Sequence, residues 1–273
     1  MSQPGGPKPT IDTTAYSVPI YTVAAGQPTV RVSLDGPPNR ALSAAWRRVP
    51  VPSEARPAAG SDGDLVVWQP ATEHMWEFWR MRKTRGGWQA RWGGAIADVS
   101  RDQGVYGPRS WPGATRFWGV PATSLALAGG LITLEDLRRG EIDHAVAISI
   151  PDARADTWAL PAQRSDGTSR SPQALPEGAH LRLDPKLDVA KLAIPHLTML
   201  IAQAAQRYGL VVRDTSPNVG FYAEDPTPTG NDPYSGPGGY FEGRTAEAIA
   251  AAFPWSQLEL LKMRLRGAST SHG

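Results

Sequence analysis

The sequence predicts a mainly β fold: a two-sheet β-sandwich or jelly-roll-like domain with one packed α-helix and a few short helices. Three observations carry this expectation. Glycine and proline number 28 and 26 among 273 residues and are scattered without period, which implies many short elements joined by turns. Apolar residues alternate with polar ones in several short runs, the spacing that places them on one face of a strand. Only one amphipathic helix of ordinary length is encoded, so the alternating strand and helix order of a parallel α/β fold is missing.

Taken in order, Met1 to Asp12 reads as a flexible Pro/Gly-rich lead-in, residues 13–266 as a single domain and residues 267–273 as a disordered tail. Tyr16 to Val23 and Thr29 to Leu34 are predicted strands, and Pro50 to Asp64 is a loop of proline, alanine, glycine and serine. Leu65 to Gln69, His74 to Lys83 and Trp88 to Gly93 follow as strands, the last two joined by a tight turn at Arg85, Gly86 and Gly87. Ser100 to Gly119 is an irregular aromatic-rich stretch. Thr133 to Gly140 is a compact helix with a threonine cap, acids in its first turn, arginines in its last and a glycine stop. Ala145 to Ile150 is a buried strand. His196 to Tyr208 is the packed helix, with Pro195 before it, Gly209 after it and apolar residues at helical spacing. Leu210 to Asp214 and Val219 to Ala223 are expected to form a hairpin. Asp225 to Gly243 is a long loop, Thr245 to Phe253 a short helix and Gln257 to Leu265 a closing strand.

Composition removes whole classes of function. There are no cysteines, so disulfides, thiolate metal sites and cysteine nucleophiles are excluded. Lys and Arg exceed Asp and Glu by 28 − 26 = 2, too small an excess for phosphate-backbone binding, and no nucleic-acid partner is expected. No apolar run is long enough to span a bilayer, and no signal peptide is visible at Met1 to Thr10. Glycine-rich nucleotide loops, a nucleophile elbow and paired-histidine metal spacings are all absent, so no cofactor and no metal is expected.

Seven of the ten tryptophans lie between Trp68 and Trp118. An indole offers a flat apolar face and one N–H donor, which suits both a core and the stacking of sugar rings. Alternation places Glu77 on one strand face with Met75 and Trp79, and the hairpin register adds Trp88 and Trp92. A carboxyl among aromatics loses hydration and holds its proton to higher pH, as a general acid must. Glu77 is therefore the first catalytic candidate, with Asp143, His144 and Glu177 as further acid/base candidates. Trp79, Trp92, Tyr106, Trp111 and Trp118 are candidates for ligand stacking, and Arg109, Arg116 and Arg164 for gripping hydroxyls or anionic groups. The bland alternative has the same aromatics packing a core.

The segments Trp76-Glu77-Phe78-Trp79, Trp92-Gly93-Gly94, Trp111-Pro112-Gly113-Ala114, Asp143-His144-Ala145, Pro161-Ala162-Gln163-Arg164, Glu177-Gly178-Ala179 and Gln206-Arg207-Tyr208-Gly209 resemble a family of poorly characterised, often secreted β-rich proteins of high-GC actinobacteria. The resemblance runs from about Tyr16 to Leu265. It implies an extracytoplasmic or virion-associated protein and brings no established activity with it. The carboxyl expected among aromatics leads to a first function, a glycan-cleaving enzyme, a glycoside hydrolase or polysaccharide lyase, that holds a cell-envelope polysaccharide in a tryptophan-lined cleft; the alternative is a non-catalytic glycan-binding or structural module of the envelope or of a phage virion.

Overall fold

A computed structural model describes residues 8–267. The elements up to residue 96 are β1 (Thr10–Asp12), β2 (Ile20–Thr22), β3 (Val32–Leu34), α1 (Arg40–Ala45), β4 (Leu65–Gln69), β5 (His74–Trp79), β6 (Arg82–Thr84), β7 (Gly87–Ala90) and β8 (Trp92–Ile96). Those that follow are α2 (Leu134–Arg139), β9 (Val146–Ile150), β10 (Thr157–Ala159), β11 (His180–Leu183), α3 (His196–Arg207), β12 (Leu210–Thr215), β13 (Gly220–Tyr222), α4 (Ala246–Ala251), β14 (Leu258–Leu260) and β15 (Leu265–Gly267). The mainly β class is thus present, distributed over four sheets. No helix among the described residues is long and apolar enough to cross a membrane.

The chain divides into two compact units. One takes the residues up to Asp12, then Gly130–Ala223, then those from Asp232 onward; the other takes Thr13–Gly129 and Glu224–Asn231.

The first unit is built on a six-stranded sheet in the order β1-β13-β9-β12-β11-β14, with β10 and β15 paired separately. Its centre is β9, Val-Ala-Ile-Ser-Ile, buried at every position. Here the expected hairpin of β12 with β13 is replaced by a non-local arrangement: β9 lies between them, parallel to β12 and antiparallel to β13. A strand buried along its whole length gains a ladder on both edges, and a two-strand hairpin would leave one edge unpaired. Val146, Ile148 and Ile150 point to one face and join Leu210, Val212 and Phe221 in a core with Leu197, Leu200 and Ile201 of α3. Burying each such aliphatic side chain contributes roughly 1.5–3 kcal/mol. By alternation Ser149 lies on the opposite face, and so do the residues registered with it.

The expectation of a lead-in reaching Asp12 is corrected: Thr10–Asp12 pairs in parallel with β13, Ile11 opposite Phe221 and Asp12 opposite Tyr222. Ile11 is 2% exposed, and this burial holds the strand to the sheet edge. Met1 to Pro7 and the tail beyond Gly267 lie outside the described residues. The single closing strand becomes two: β14 pairs with β11, and β15 with β10.

The second unit contains a four-stranded sheet, β2-β4-β5-β8, and a three-stranded one, β3-β7-β6. The long strand expected over His74 to Lys83 breaks at Arg80, whose φ of 51° lies in the left-handed region. The hairpin register nevertheless runs through the break. Met75 faces Ile96 and Trp79 faces Trp92 in one sheet, while Arg82 faces Gln89 and Thr84 faces Gly87 in the other. The two-residue turn is Arg85-Gly86, within the segment that the sequence indicates.

Candidate functional site

In the first unit, the sheet face opposite α3 carries an unusual density of charge. The ladder between β9 and β12 has a bulge between Val212 and Asp214, which brings Asp214 opposite Ser149 and leaves Arg213 as the extra residue. Arg213 is 1% exposed, and its guanidinium lies 3.8 Å from the centre of the Tyr222 ring. Tyr222 stands opposite Asp12, and Gly220 of the same strand opposite Ser149. The Ser216 hydroxyl donates to Ser149 Oγ at 2.9 Å.

Two further residues reach this face from the long connection between β10 and β11. Glu177 is completely buried, its carbonyl accepting from Ala159 N at 2.7 Å, while Gly178 N donates to the Val212 carbonyl at 2.7 Å. Gly178 holds a φ of 80°, and a Cβ there would lie 2.0 Å from the Ala159 carbonyl oxygen, so only glycine lets the chain pass between β10 and β12. Asp166 N donates to Glu177 Oε2 at 2.9 Å, and Thr215 Oγ1 donates to Asp166 Oδ1 at 3.3 Å. One carboxylate oxygen from each of Asp166, Glu177 and Asp214 falls within 4.8 Å of the others. These three residues are the group able to hold a cation among the described residues.

Burial dominates the electrostatics. It pushes the Glu177 carboxyl up to about 7, against the Ser165 hydroxyl, which favours the charged form; the charges of Asp166 and Asp214 raise it further. Burial likewise raises Asp12 to about 7, opposed by the Arg213 guanidinium. The same desolvation lowers Arg164 from its ordinary value, opposed by Asp214, Asp166 and Glu177, which locates that guanidinium in the acidic group. Tyr222 is raised above its ordinary value, first by burial and then by Asp214. A buried carboxyl raised to about 7, as Glu177 is, can take up and release a proton near neutral pH.

The open, indole-lined carboxylate expected around Glu77 is corrected by the second unit. Glu77 has no exposed surface; it accepts from the Tyr106 hydroxyl at 2.8 Å and from Ala128 N at 3.0 Å. The covering is explained by Gly94, directly opposite Glu77 in the ladder, where a Cβ would lie 2.3 Å from the Tyr106 ring. Tyr106 is itself fully buried, and burial followed by the Glu77 charge lifts its hydroxyl well above the ordinary value.

The other candidates of this unit are also engaged with their surroundings. Trp79 Nε1 donates to Asp62 Oδ1 at 3.3 Å, with the Arg80 guanidinium 4.4 Å from the centre of its ring. Trp92 Nε1 donates to the Phe117 carbonyl at 3.0 Å, and Trp111 packs edge-on against His74 at 5.1 Å. Trp118 is fully buried, and so is Trp46. Arg109 is exposed, as is Arg116, which lies over the Phe117 ring.

Asp143 and His144 do not join Glu177 in one arrangement. Asp143 is exposed and takes both terminal nitrogens of Arg139 at 2.9 Å. His144 Nε2 lies 3.0 Å from Asp136 Oδ2, the carboxylate that also closes the capping box of α2 with Thr133. Of the residues singled out from the sequence, Glu177 and Arg164 are brought together; Asp12, Asp166, Arg213, Asp214 and Tyr222 are added by the fold. Arg213-Asp214 at the end of the apolar run Leu210 to Val212 was the local signal for part of this group, two charges interrupting a buried strand.

No family model, no curated protein and no solved structure matches this chain.

Proposed function

We propose that the protein is a glycan-cleaving hydrolase whose chemistry resides in the first unit, with Glu177 as proton donor and Asp214 as the opposing carboxylate. The observation that carries this reading is a buried carboxyl at about 7 with carboxylate oxygens of two neighbours inside 4.8 Å. Glycosidases that retain configuration use two carboxyls about 5–5.5 Å apart, one as acid and one as nucleophile, and the pairing of Glu177 with Asp214 is read in that way. Arg164, in the field of Asp214, Asp166 and Glu177, supplies the positive charge beside the three carboxyls. Asp166 is the exposed member of the group, and in this reading the sugar approaches the buried Glu177 on that side. An extracytoplasmic place beside an envelope polysaccharide belongs to the same reading. So does a sandwich-like packing of the two sheets of the second unit, supported by Trp46, which lies 4.9 Å from Phe78 and whose carbonyl accepts from Val32 N.

Hydrolysis of a panel of bacterial envelope polysaccharides is the test. Glu177→Gln removes cleavage while leaving the fold intact, whereas Glu77→Gln changes stability and leaves the rate per folded molecule unaltered. Full activity in Glu177→Gln would reject the assignment.

A second reading, a non-catalytic recognition or structural module, is favoured by the burial of Glu77 and of Trp46, Trp76, Trp88 and Trp118, none more than 5% exposed. It is distinguished by binding of the same polysaccharides without cleavage in any variant.

A further inference from the structure

In the second unit, residues with aromatic and cationic side chains meet at one end of the four-stranded sheet. Trp79 ends β5 and stands opposite Trp92, the first residue of β8. Alternation puts Trp79 on the strand face that carries Glu77. Tyr106 covers that face at Glu77, but two residues further on the side chains are partly open, and Trp79 and Trp92 are both half-buried. Trp92 Nε1 donates to the Phe117 carbonyl at 3.0 Å, which ties the strand pair to the loop that carries Arg116 and Phe117. Phe117 is 52% exposed, the most exposed large apolar side chain among the described residues. Two exposed arginines each lie over a ring: the Arg80 guanidinium is 4.4 Å from the centre of the Trp79 ring, and the Arg116 guanidinium is 5.0 Å from the centre of the Phe117 ring. Arg80 keeps its left-handed φ of 51°, which is disfavoured for a residue with a side chain. Asp62 holds this pair in place, its carbonyl accepting from Arg80 N at 2.6 Å and its Oδ1 from Trp79 Nε1 at 3.3 Å. Among the described residues neither guanidinium forms an ion pair or donates a hydrogen bond, so the five N–H donors of each are unspent.

A guanidinium resting on a ring is restricted before any ligand arrives, so gripping an anion costs it little further side-chain freedom. It can take a carboxylate through two parallel N–H bonds, while half-exposed indole and phenyl surfaces accept the C–H faces of sugar rings. A polymer with carboxylates at intervals along a chain of pyranose rings uses both kinds of group. A nucleic acid also has charge and flat rings, but one phosphate per nucleotide is matched by a run of cations. This surface offers two guanidiniums and three aromatic side chains, on a chain whose cations exceed its acids by only 28 − 26 = 2. We propose that Trp79, Arg80, Trp92, Arg116 and Phe117 form a binding platform for an acidic polysaccharide, with Arg80 and Arg116 gripping uronate carboxylates and the rings between them supporting the sugars. The platform shares a class of ligand with the proposed hydrolase but rests on none of its residues, and it holds the polymer without cleaving it.

The experiment uses the full chain and three soluble polymers: polygalacturonate and hyaluronate, which carry uronic acids, and dextran, which carries no charge. Calorimetric titration is expected to show binding of a uronic-acid polymer, weakened severalfold between about 0.05 M and about 0.3 M salt, and no binding of dextran. Arg80→Ala and Arg116→Ala each weaken that binding by roughly tenfold or more, and Phe117→Ala by about threefold to tenfold. Arg85→Ala, which removes an exposed cation from the β6–β7 turn, leaves it unchanged. Arg116 is exposed on a loop, so Arg116→Ala gives a folded variant, verified by thermal unfolding, even where Arg80→Ala disturbs its strained turn. Absence of binding to both acidic polymers, equal binding of dextran, or binding that Arg116→Ala and Phe117→Ala leave unchanged overturns the proposal. Tighter binding of oligothymidylate than of either polymer would assign the surface to single-stranded nucleic acid and overturn it as well. Polysaccharide binding lost in Arg116→Ala, with no cleavage by wild type, would keep the platform and reject the hydrolase; cleavage by wild type that is unaltered in Arg116→Ala, with no binding difference, would do the opposite.

Discussion

Asp12 and Glu177 are pushed toward neutrality by the same cause, removal of a carboxylate from water, and stability must respond to pH through both. A carboxyl whose folded pKa exceeds its unfolded one stabilises the fold fully below the unfolded value and loses that contribution as pH rises through the folded value. Here the ordinary values of 3.8 and 4.5 rise to about 7, so the window lies between these limits. The expected outcome in urea unfolding is a free energy that falls between about pH 5 and about pH 7, by roughly 1.4 kcal/mol per pH unit for each group. His144, whose burial is outweighed by its bond to Asp136, acts in the same direction, while His74 and His180, lowered by burial, act in the opposite one. Glu177→Gln should remove one group's share of that slope, and an unchanged slope would show that Glu177 titrates normally. Glu77 has a different task. Its replacement by alanine strands the Tyr106 hydroxyl and Ala128 N in a closed interior and should destabilise the protein by about 2–5 kcal/mol, read as a lowered midpoint of thermal unfolding. Glu77→Gln retains an acceptor and should cost less. A Glu77→Ala protein as stable as wild type would contradict the structural role.

Individual elements differ in how far local sequence specifies them. The α2 helix was legible from Thr133, its acids and Gly140 because capping is decided within four residues, and Thr133 and Asp136 do exchange the two bonds of a capping box. Thr133→Ala should therefore destabilise by about 1 kcal/mol in chemical unfolding, and no measurable loss would mean that the cap is dispensable. The α3 helix and β9 were legible for the same reason, a strong local period or an unbroken apolar run. What failed was pairing. Val219 to Ala223 looks like the return strand of Leu210 to Asp214 because only four residues separate them, yet β9, some sixty residues earlier in the chain, outcompetes it for both edges. The break at Arg80 was equally hidden, since a non-glycine residue at positive φ leaves no mark in the sequence. Gly178 belongs to this non-local class, because the oxygen that excludes a side chain there belongs to Ala159. Gly178→Ala is expected to destabilise by more than about 3 kcal/mol and to displace Glu177; wild-type stability in that variant would mean that the passage between β10 and β12 is looser than the contact implies.

At the scale of the molecule, richness in tryptophan and location of chemistry separate. Indoles and an acid alternate along Met75 to Trp79, which joins the two in the sequence, but Trp46, Trp76, Trp88 and Trp118 are at most 5% exposed and serve as packing in the second unit. The charged group of the first unit went largely unread because its members lie far apart along the chain, at Asp12, Arg164 to Asp166, Glu177 and Arg213 to Asp214. The sheet order β1-β13-β9-β12 is what assembles them. Glu177 was visible as an acid beside a glycine, and Arg164 as a basic residue in a polar loop; their proximity was not. The proposed hydrolase therefore depends on one property of one side chain. Carboxyl carbon-13 resonances of glutamate-labelled protein, followed from about pH 3 to about pH 9 and assigned by their loss in Glu177→Gln, measure it directly. The predicted result is a Glu177 resonance that titrates near 7. Titration of that resonance at the ordinary glutamate value of 4.5 would contradict the account.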